Sequence, residues 1–178
     1  VVVVGGGVGG MEAARIAALR GHDVTLVEEK DTLGGQARLA GMVPFKEDIA
    51  RFMHYLEKET QKAGVDIRLG RIATPESIMS MQPAAVILAT GSRETTPKIP
   101  GIDGSNVFYA RDVVAEIVNV NGKKIVVAGG GYVGRDIALF LTVKKRKQVV
   151  IVEQLTLEAV GAAPYDANSM DCLLYTSP

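Results

Sequence analysis

Val1-Val2-Val3-Val4-Gly5-Gly6-Gly7-Val8-Gly9-Gly10 opens the chain and decides its fold. The four β-branched valines predict a short buried strand, and the glycines at positions 5, 7 and 10 have the spacing G-x-G-x-x-G. In this pattern the first glycine permits a sharp turn, the second a close approach of the backbone to a pyrophosphate, and the third tight packing of the following helix. That helix is predicted over Met11–Arg20, and its N-terminus offers N–H groups and a positive dipole end to phosphates.

An acidic residue completes the pattern. A second predicted strand, Val24–Val27, ends in Glu28, 23 positions after Gly5. An acid at this distance accepts hydrogen bonds from the hydroxyls of a ribose. Strand, glycines, helix, strand and acid in this order predict a dinucleotide-binding unit rather than an ordinary glycine-rich turn.

The whole pattern is repeated later in the chain. A predicted strand, Lys123–Ala128, is followed by glycines at positions 129, 131 and 134 and by the start of a helix over Arg135–Leu141. A second predicted strand, Val149–Val152, then ends in the acid Glu153. The first glycines are 124 positions apart and the acids 125. Because chance turns would not repeat both the spacing and the acid, the sequence predicts an α/β fold with two Rossmann-like dinucleotide-binding units. We expect the first over residues 1–104 and the second, incomplete, over 105–171.

Further segments belong to the first predicted unit. Gly34–Gly35 predicts a loop that passes close to a ligand. Apolar residues at helical spacing predict an amphipathic helix with a face formed by Ile49, Phe52, Met53, Leu56 and Thr60. Ala84–Leu88 predicts a buried strand. The small residues at its carboxyl end, Ala89, Thr90 and Gly91, would let a ligand approach the backbone.

Composition limits the classes of function. The chain has 178 residues, zero formal net charge and 47% hydrophobic residues. The balanced charge argues against general binding of nucleic acid or a membrane surface, and no apolar run is long enough to span a bilayer. With no leader pattern at the first residues, we predict a cytoplasmic protein.

Residues that carry chemistry are few. His22 and His54 have no sequence partners that would suggest a catalytic triad or a metal site. Cys172 is the single cysteine, which excludes an internal disulfide and a Cys-x-x-Cys pair. The basic run Lys144–Lys147 follows a predicted helix, where solvated cations complement the negative end of the helix dipole. We therefore expect no catalytic nucleophile, no general base and no metal site.

Both ends of the chain look unnatural. The chain begins within a predicted strand, and Cys172–Pro178 resembles the translation of a sequencing-library transposon adapter. We expect a fragment of a longer protein with an artificial tail over residues 172–178.

These residues together resemble the nucleotide-binding region of old yellow enzyme-like oxidoreductases that carry a disulfide-reductase-type FAD/NAD(P)-binding module. That family includes 2,4-dienoyl-CoA reductase, the enoate reductases and trimethylamine dehydrogenase. The distinctive residues are Gly34-Gly35-Gln36, Arg38-Leu39-Ala40, Pro44 and Lys46. Other parts are shared more widely among flavoproteins with two dinucleotide sites, namely Ala89-Thr90-Gly91, Ile99-Pro100-Gly101 and Gly129–Gly134.

The resemblance implies cofactors and the residues that bind them. FAD would be bound by Gly5, Gly7, Val8, Gly9, Gly10, Glu28, Glu29, Gly35, Gln36, Ala89, Thr90 and Gly91. The nicotinamide nucleotide would be bound by Gly129, Gly131, Tyr132, Val133, Gly134 and Glu153. An FMN-binding barrel and a 4Fe–4S site would precede Val1. Asp136 stands where relatives often have Glu, and we expect it to favour the first helical turn rather than to approach the nicotinamide.

Three functions remain open on the sequence. The first is an oxidoreductase segment that passes electrons from NAD(P)H to FAD and on to an FMN and iron–sulfur centre, for reduction of an enoate- or enone-type substrate. The second is a thioredoxin-reductase-like disulfide reductase, which needs a cysteine pair that the covered units lack. The third is a non-catalytic module that holds an adenine nucleotide. Within the first, Glu153 favours NADH over NADPH, because no arginine follows it at once to pair with a 2′-phosphate.

Overall fold

The computed structural model describes residues 1–155, which form two compact units. Of these residues, the first unit comprises 1–41 and 48–96, and the second comprises 42–47 and 97–155. Cys172 and the predicted tail lie outside the described residues. No helix among residues 1–155 is long and apolar enough to cross a membrane.

The first unit is built on a four-stranded parallel sheet of order β3-β2-β1-β4. Its strands are β1 Val2–Val4, β2 Thr25–Val27, β3 Asp66–Arg68 and β4 Val86–Leu88. From β1 the chain moves to β2 and β3 on one side and then returns to β4 on the other side. Such a reversal opens a crevice at the carboxyl ends of the strands, which is where ligands bind in sheets of this kind. Gly5 follows β1 and Ala89 follows β4 at this crevice.

Helices cover both faces of this sheet. They are α1 Val8–Leu19, α2 Gly35–Ala40, α3 Glu47–Lys62 and α4 Pro75–Met79. Because side chains alternate along a strand, Val3 packs in the cluster that contains Met11 and Leu56, whereas Val2 packs with Ile78. Residues of α1 and α3 therefore line one face, and α4 lies on the other.

The second unit is smaller in the part that the structure describes. Its elements are α5 Ala110–Val114, β5 Lys124–Ala128, α6 Tyr132–Leu139, a π-helical turn Phe140–Lys144, and β6 Gln148–Val152. Strands β5 and β6 are parallel, with Lys124 opposite Gln148 and Ala128 opposite Val152. Ile137, Ala138 and Phe140 are buried and form the core of this unit with their neighbours. The predicted α/β class with two strand–glycine–helix–strand units is confirmed.

Two predictions about burial are wrong. Ala84–Leu88 was expected as a buried strand, but within β4 Val86 is 40% exposed and Leu88 76% exposed. Val86 and Leu88 lie on the same face as their partners Val2 and Val4, and at β4, the edge strand of the described sheet, that face is left uncovered. Phe52 was expected on the buried face of its helix, yet it is half exposed and stacks on Tyr55, with 6.4 Å between the ring centroids.

Two local predictions also need correction. The glycine pair after β2 is not simply a loop, because Gly34 adopts a left-handed conformation with φ 104° and Gly35 begins α2. Among the cations after α6, Lys144, Lys145 and Arg146 are exposed, as expected, but Lys147 is partly buried, and two of the four have partners. Lys144 Nζ donates to the carbonyl oxygen of Met42 at 3.0 Å, and Lys145 forms an ion pair with Glu116.

Candidate functional site

The first glycine of the opening motif is required by its backbone and by its neighbours. Gly5 has φ +105°, a conformation that L-residues rarely adopt. Its N–H donates to the carbonyl oxygen of Val27 at 2.8 Å, which ties the turn to β2. A Cβ at this position would lie 2.3 Å from the carbonyl oxygen of Ala89. Gly5 therefore brings the ends of β1, β2 and β4 together.

The third glycine is required by packing alone. Gly10 lies in the first turn of α1, and a Cβ there would come within 1.8 Å of the carbonyl oxygen of Gly5. The helix therefore begins in direct contact with the turn that precedes it. This contact aims the N-terminus of α1 at the crevice.

Neither backbone conformation nor packing requires a glycine at the second position of the motif. Gly7 is the N-cap of α1 with φ −73° and ψ −174°, which any L-residue adopts. No other atom of the described residues lies within 4 Å of the position that its Cβ would take. The backbone of Gly7 is therefore open on the side where a side chain would project, and Val8 and Gly9, the next two residues, are exposed.

The acid after β2 is held by the glycine turn. Glu28 is buried, and its Oε2 accepts from the N–H of Gly6 at 2.6 Å while Oε1 accepts from the N–H of Lys30 at 2.9 Å. A Cβ at Gly6 would lie 3.0 Å from Oε2 of Glu28 and 2.5 Å from Cδ2 of Leu33. Each carboxylate oxygen has a second lone pair that remains available to a ribose hydroxyl. Glu29, the next residue, is exposed.

Further predicted residues lie around the same turn. The N–H of Gly34 donates to the carbonyl oxygen of Gly6 at 2.8 Å, and a Cβ at Gly35 would lie 3.2 Å from Cα of Gly7. Gln36 Nε2 donates to the carbonyl oxygen of Ser92 at 2.7 Å. These contacts join the start of α2, the first glycine motif and the segment after β4, which contains Ala89, Thr90 and Gly91.

The second unit repeats this geometry around its own motif. Gly129 has φ +106°, and its N–H donates to the carbonyl oxygen of Val152 at 2.8 Å. A Cβ at Gly134 would come within 1.8 Å of the carbonyl oxygen of Gly129. Gly131, the N-cap of α6, has φ −68° and ψ −173°, and no other atom of residues 1–155 lies within 4 Å of its Cβ position. Tyr132 and Val133 begin α6 and are exposed.

Glu153 occupies the same position relative to this motif as Glu28 does to the first. Its Oε2 accepts from the N–H of Gly130 at 2.7 Å, and its Oε1 accepts from the N–H groups of Gln154 and Leu155 at 2.7 and 3.1 Å. The hydrogen bond from Gly130, followed by those from Leu155 and Gln154, holds the pKa of Glu153 below its ordinary value. Glu153 is therefore a carboxylate, not a carboxylic acid, at neutral pH.

The prediction that Asp136 lies in the first turn of its helix is wrong. Asp136 is the fifth residue of α6, and both of its oxygens accept from Lys46 Nζ, at 2.6 and 2.8 Å. Side-chain exposure is 26% for Lys46 and 18% for Asp136, so this is a partly buried, bidentate ion pair. Its partners are 90 positions apart, and no local pattern predicts their contact.

Sequence reasoning missed the middle glycine of each run. Gly6 and Gly130 occupy a position that the G-x-G-x-x-G pattern leaves unspecified, yet each donates its N–H to the acid of its unit. The runs Gly5–Gly7 and Gly129–Gly131 were the available signal, because three consecutive glycines exceed what the pattern needs.

The arrangement suits two anionic ligands with vicinal hydroxyls. Each unit presents an open glycine at a helix N-terminus, where N–H groups and the helix dipole favour a phosphate, and a carboxylate beside it that accepts from hydroxyls. Among residues 1–155, no group of three or more His, Cys, Asp or Glu side chains is placed to hold a metal ion.

Comparison with known proteins identifies relatives of this arrangement. The family model for pyridine nucleotide-disulphide oxidoreductases matches residues 1–162. The NADH oxidase of Thermoanaerobacter brockii is 47% identical over 96% of this chain, and the cinnamate reductase of Clostridium sporogenes is 44% identical over 94%. The solved structure of 2-naphthoyl-CoA reductase in complex with 2-naphthoyl-CoA is 31% identical over 98% of the chain, with a TM-score of 0.88.

The relatives are much longer than this chain. It spans 26% of the NADH oxidase, 25% of the cinnamate reductase and 26% of the 2-naphthoyl-CoA reductase. The activities for which these relatives are named belong to proteins of which this chain matches about a quarter.

Proposed function

The chain belongs to the pyridine nucleotide-disulphide oxidoreductase family, and we propose that it is the module through which a longer flavoprotein reductase takes electrons from NADH. As a member of that family it is an FAD- and NAD(P)-dependent oxidoreductase module. We assign FAD to residues 1–104 and the nicotinamide nucleotide to residues 105–171.

The observation that carries this proposal is the openness of Gly7 and Gly131. In each motif the first glycine is explained by its positive φ and the third by its contact with the first. The second has ordinary dihedral angles and no neighbour among the described residues, so folding gives no reason for a glycine there. A pyrophosphate against the backbone supplies that reason, because a side chain would occupy its place.

The chain's own residues bind and orient the two cofactors. N–H groups at the start of α1 and α6 bind the phosphates, and the carboxylates of Glu28 and Glu153 accept from the ribose hydroxyls. Gly35, Gln36 and the segment after β4 border the first site, which supports assigning the larger flavin nucleotide to it. Once bound, the cofactors supply the electron transfer itself, and the protein supplies position and electrostatics.

We place the remaining redox chemistry outside this chain. The names of the cinnamate reductase and the 2-naphthoyl-CoA reductase, together with the family resemblance in the sequence, support an unsaturated, enoate- or enone-type substrate. On this proposal an FMN, a 4Fe–4S cluster and the substrate site lie in a preceding barrel domain of the same protein.

Reciprocal alanine variants test the assignment of the two sites. In the complete protein, Gly7→Ala should lose bound FAD while retaining affinity for NADH. Gly131→Ala should retain FAD but lose the bleaching of flavin absorbance on addition of NADH. Each variant is the control for the other, since both add one methyl group at an open N-cap. A Gly7→Ala protein, or a bulkier Gly7→Val protein, that stays yellow with unchanged flavin stoichiometry would refute the assignment.

A second measurement separates the remaining functions. We expect NADH to bleach the flavin, and the complete protein to contain FMN and iron and to reduce a cinnamate-type alkene. Absence of bleaching in a protein that binds NADH would instead indicate the non-catalytic nucleotide-binding module. Reduction of a disulfide substrate without iron or FMN would indicate a thioredoxin-reductase-like enzyme.

A further inference from the structure

The two units share a contact that binding of ribose does not explain. In each unit the acid accepts the N–H of the middle glycine, at 2.6 Å between Glu28 and Gly6 and at 2.7 Å between Glu153 and Gly130. In each unit the middle glycine also lies against the acid's side chain, with its Cβ position 3.1 Å from Cβ of Glu28 or 3.2 Å from Cβ of Glu153. The contact is therefore a repeated feature of the fold.

Successive N–H groups of the second motif have different partners. The N–H of Gly129 donates to the carbonyl oxygen of Val152, the last residue of β6. The N–H of Gly130 donates to Glu153, the next residue after that strand. The backbone then reaches Gly131, the N-cap of α6, whose Cβ position has no neighbour among the described residues. Two consecutive N–H groups, immediately before Gly131, thus fix the turn to the last residue of β6 and to the residue that follows it.

We propose that Glu153 is a positioning residue for the phosphate-binding turn of the second unit, in addition to its contact with the ribose. Its carboxylate fixes Gly130 and so holds the N–H groups of Gly131 and the first turn of α6 in place for the pyrophosphate. The carboxylate is itself fixed by the N–H groups of Gln154 and Leu155. This inference rests on the proposed nucleotide site in the second unit.

Charge alone predicts the opposite effect on phosphate binding. The carboxylate of Glu153 is negative, and a bound diphosphate is negative too, so removal of the carboxylate relieves a repulsion. If Glu153 only accepts hydrogen bonds from the ribose, a nucleotide without ribose hydroxyls should bind a Glu153→Ala variant as tightly as it binds the wild-type protein, or more tightly. If Glu153 holds the turn, the same nucleotide should bind that variant more weakly.

The probe is 2′,3′-dideoxyadenosine 5′-diphosphate, which keeps the adenine and the diphosphate but has no hydroxyl for Glu153 to accept from. Its Kd is measured by calorimetry in the complete, flavin-loaded protein, beside that of ADP. We expect Glu153→Ala to raise the Kd of dideoxy-ADP by about threefold to tenfold, which is the effect of losing one hydrogen bond. Glu153→Gln retains one carbonyl acceptor for Gly130, so its Kd should lie between those of wild type and Glu153→Ala.

The matched control is Glu116→Gln. Glu116 is an exposed acid of the same unit whose pKa is also lowered, by the Lys145 ammonium that donates to it. The substitution removes one negative charge away from the turn, so the Kd of dideoxy-ADP should stay within about twofold of wild type. Thermal unfolding followed by circular dichroism checks that each variant protein is folded.

The outcomes separate this inference from the proposed function. Weaker binding of dideoxy-ADP to both Glu153 variants, with the control unchanged, supports the positioning role. Unchanged or tighter dideoxy-ADP binding to Glu153→Ala, or to Glu153→Gln where the alanine protein does not fold, overturns it while leaving the nucleotide site intact. If wild-type protein binds neither ADP nor dideoxy-ADP, the nucleotide site itself is refuted.

Discussion

Alanine at Gly10 and alanine at Gly7 should fail for different reasons, although the two glycines are three residues apart. An alanine Cβ at position 10 would lie 1.8 Å from the carbonyl oxygen of Gly5 and 2.9 Å from its carbon. Real Cβ atoms essentially never approach a neighbour within 3.0 Å, so the start of α1 must move by at least 1.2 Å relative to the turn. At position 7 the added methyl group meets no atom of the described residues within 4 Å.

The magnitudes follow from what surrounds each position. Met11 and Ala14, the first and fourth residues after Gly10, have no exposed surface, so a displacement of α1 disturbs a closely packed core. Overpacking of this kind costs about 1–3 kcal/mol and occasionally more, and we expect Gly10→Ala to lower the free energy of unfolding by about 2–4 kcal/mol. Gly7→Ala should stay within about 1 kcal/mol of wild type, since alanine adopts φ −73° without strain and its poorer N-cap preference costs about 1 kcal/mol at most.

The assay combines denaturation of flavin-stripped protein with titration of FAD into refolded protein. Both variants should bind FAD poorly, but only Gly10→Ala should unfold at a clearly lower urea concentration or temperature. The second motif provides an independent repetition, with Gly134→Ala in place of Gly10→Ala and Gly131→Ala in place of Gly7→Ala. The reasoning is refuted if Gly7→Ala destabilises the stripped protein as much as Gly10→Ala, or if Gly10→Ala is as stable as wild type.

Three further expectations concern charged side chains. NADH should be preferred over NADPH by about tenfold to hundredfold in kcat/KM for flavin reduction, because a 2′-phosphate meets the carboxylate of Glu153; equal rates would contradict this. Since backbone hydrogen bonds lower the pKa of Glu153, the part of the preference that comes from its carboxylate should persist as the pH falls below neutral and be lost only as the pH passes through that lowered pKa, which a pH series of both rates checks. Lys46→Met should lower the free energy of unfolding by about 1–2 kcal/mol, because it leaves the partly buried Asp136 carboxylate unpaired. The control Lys62→Met removes the more exposed ion pair with Glu59 and should change the free energy of unfolding by less than about 0.5 kcal/mol. Equal shifts in melting temperature for the two variants would show that the Lys46–Asp136 pair does not stabilise the fold more than a surface pair.

The strands, glycine turns and helices of the two units could be predicted from the sequence, because they depend on interactions between residues that are close along the chain. The valine run, the glycine spacing and the following apolar residues predicted β1, α1 and their counterparts β5 and α6, because strand period, turn geometry and helix packing act over a few residues. The same reasoning predicted Glu28 and Glu153 at the ends of β2 and β6. Their distance from the glycines along the chain is fixed by one helix and one strand.

Features that depend on distant partners were not predictable in this way. The exposure of Leu88 follows from the edge position of β4, and sheet order is decided by pairings across the whole unit. The Lys46–Asp136 pair joins residues 90 positions apart. Phe52 lies one residue from the buried Met53, so helical spacing alone did not decide on which side of the apolar stripe it falls.

The middle glycines show how a motif can contain more information than its pattern states. The G-x-G-x-x-G pattern specifies its three glycines and leaves the other positions open. In both units, however, the position between the first two glycines, called x below, is also a glycine, and it contacts the acid that follows the next strand. A side chain at x would push that acid away from the turn, and an acid of another shape would leave the N–H at x without its present acceptor. Position x and the acid therefore constrain each other, although Gly6 and Glu28 are 22 positions apart and Gly130 and Glu153 are 23 apart. Reading the three consecutive glycines with the acid as one structural unit explains why the turn is held at the strand end where its open glycine faces a ligand.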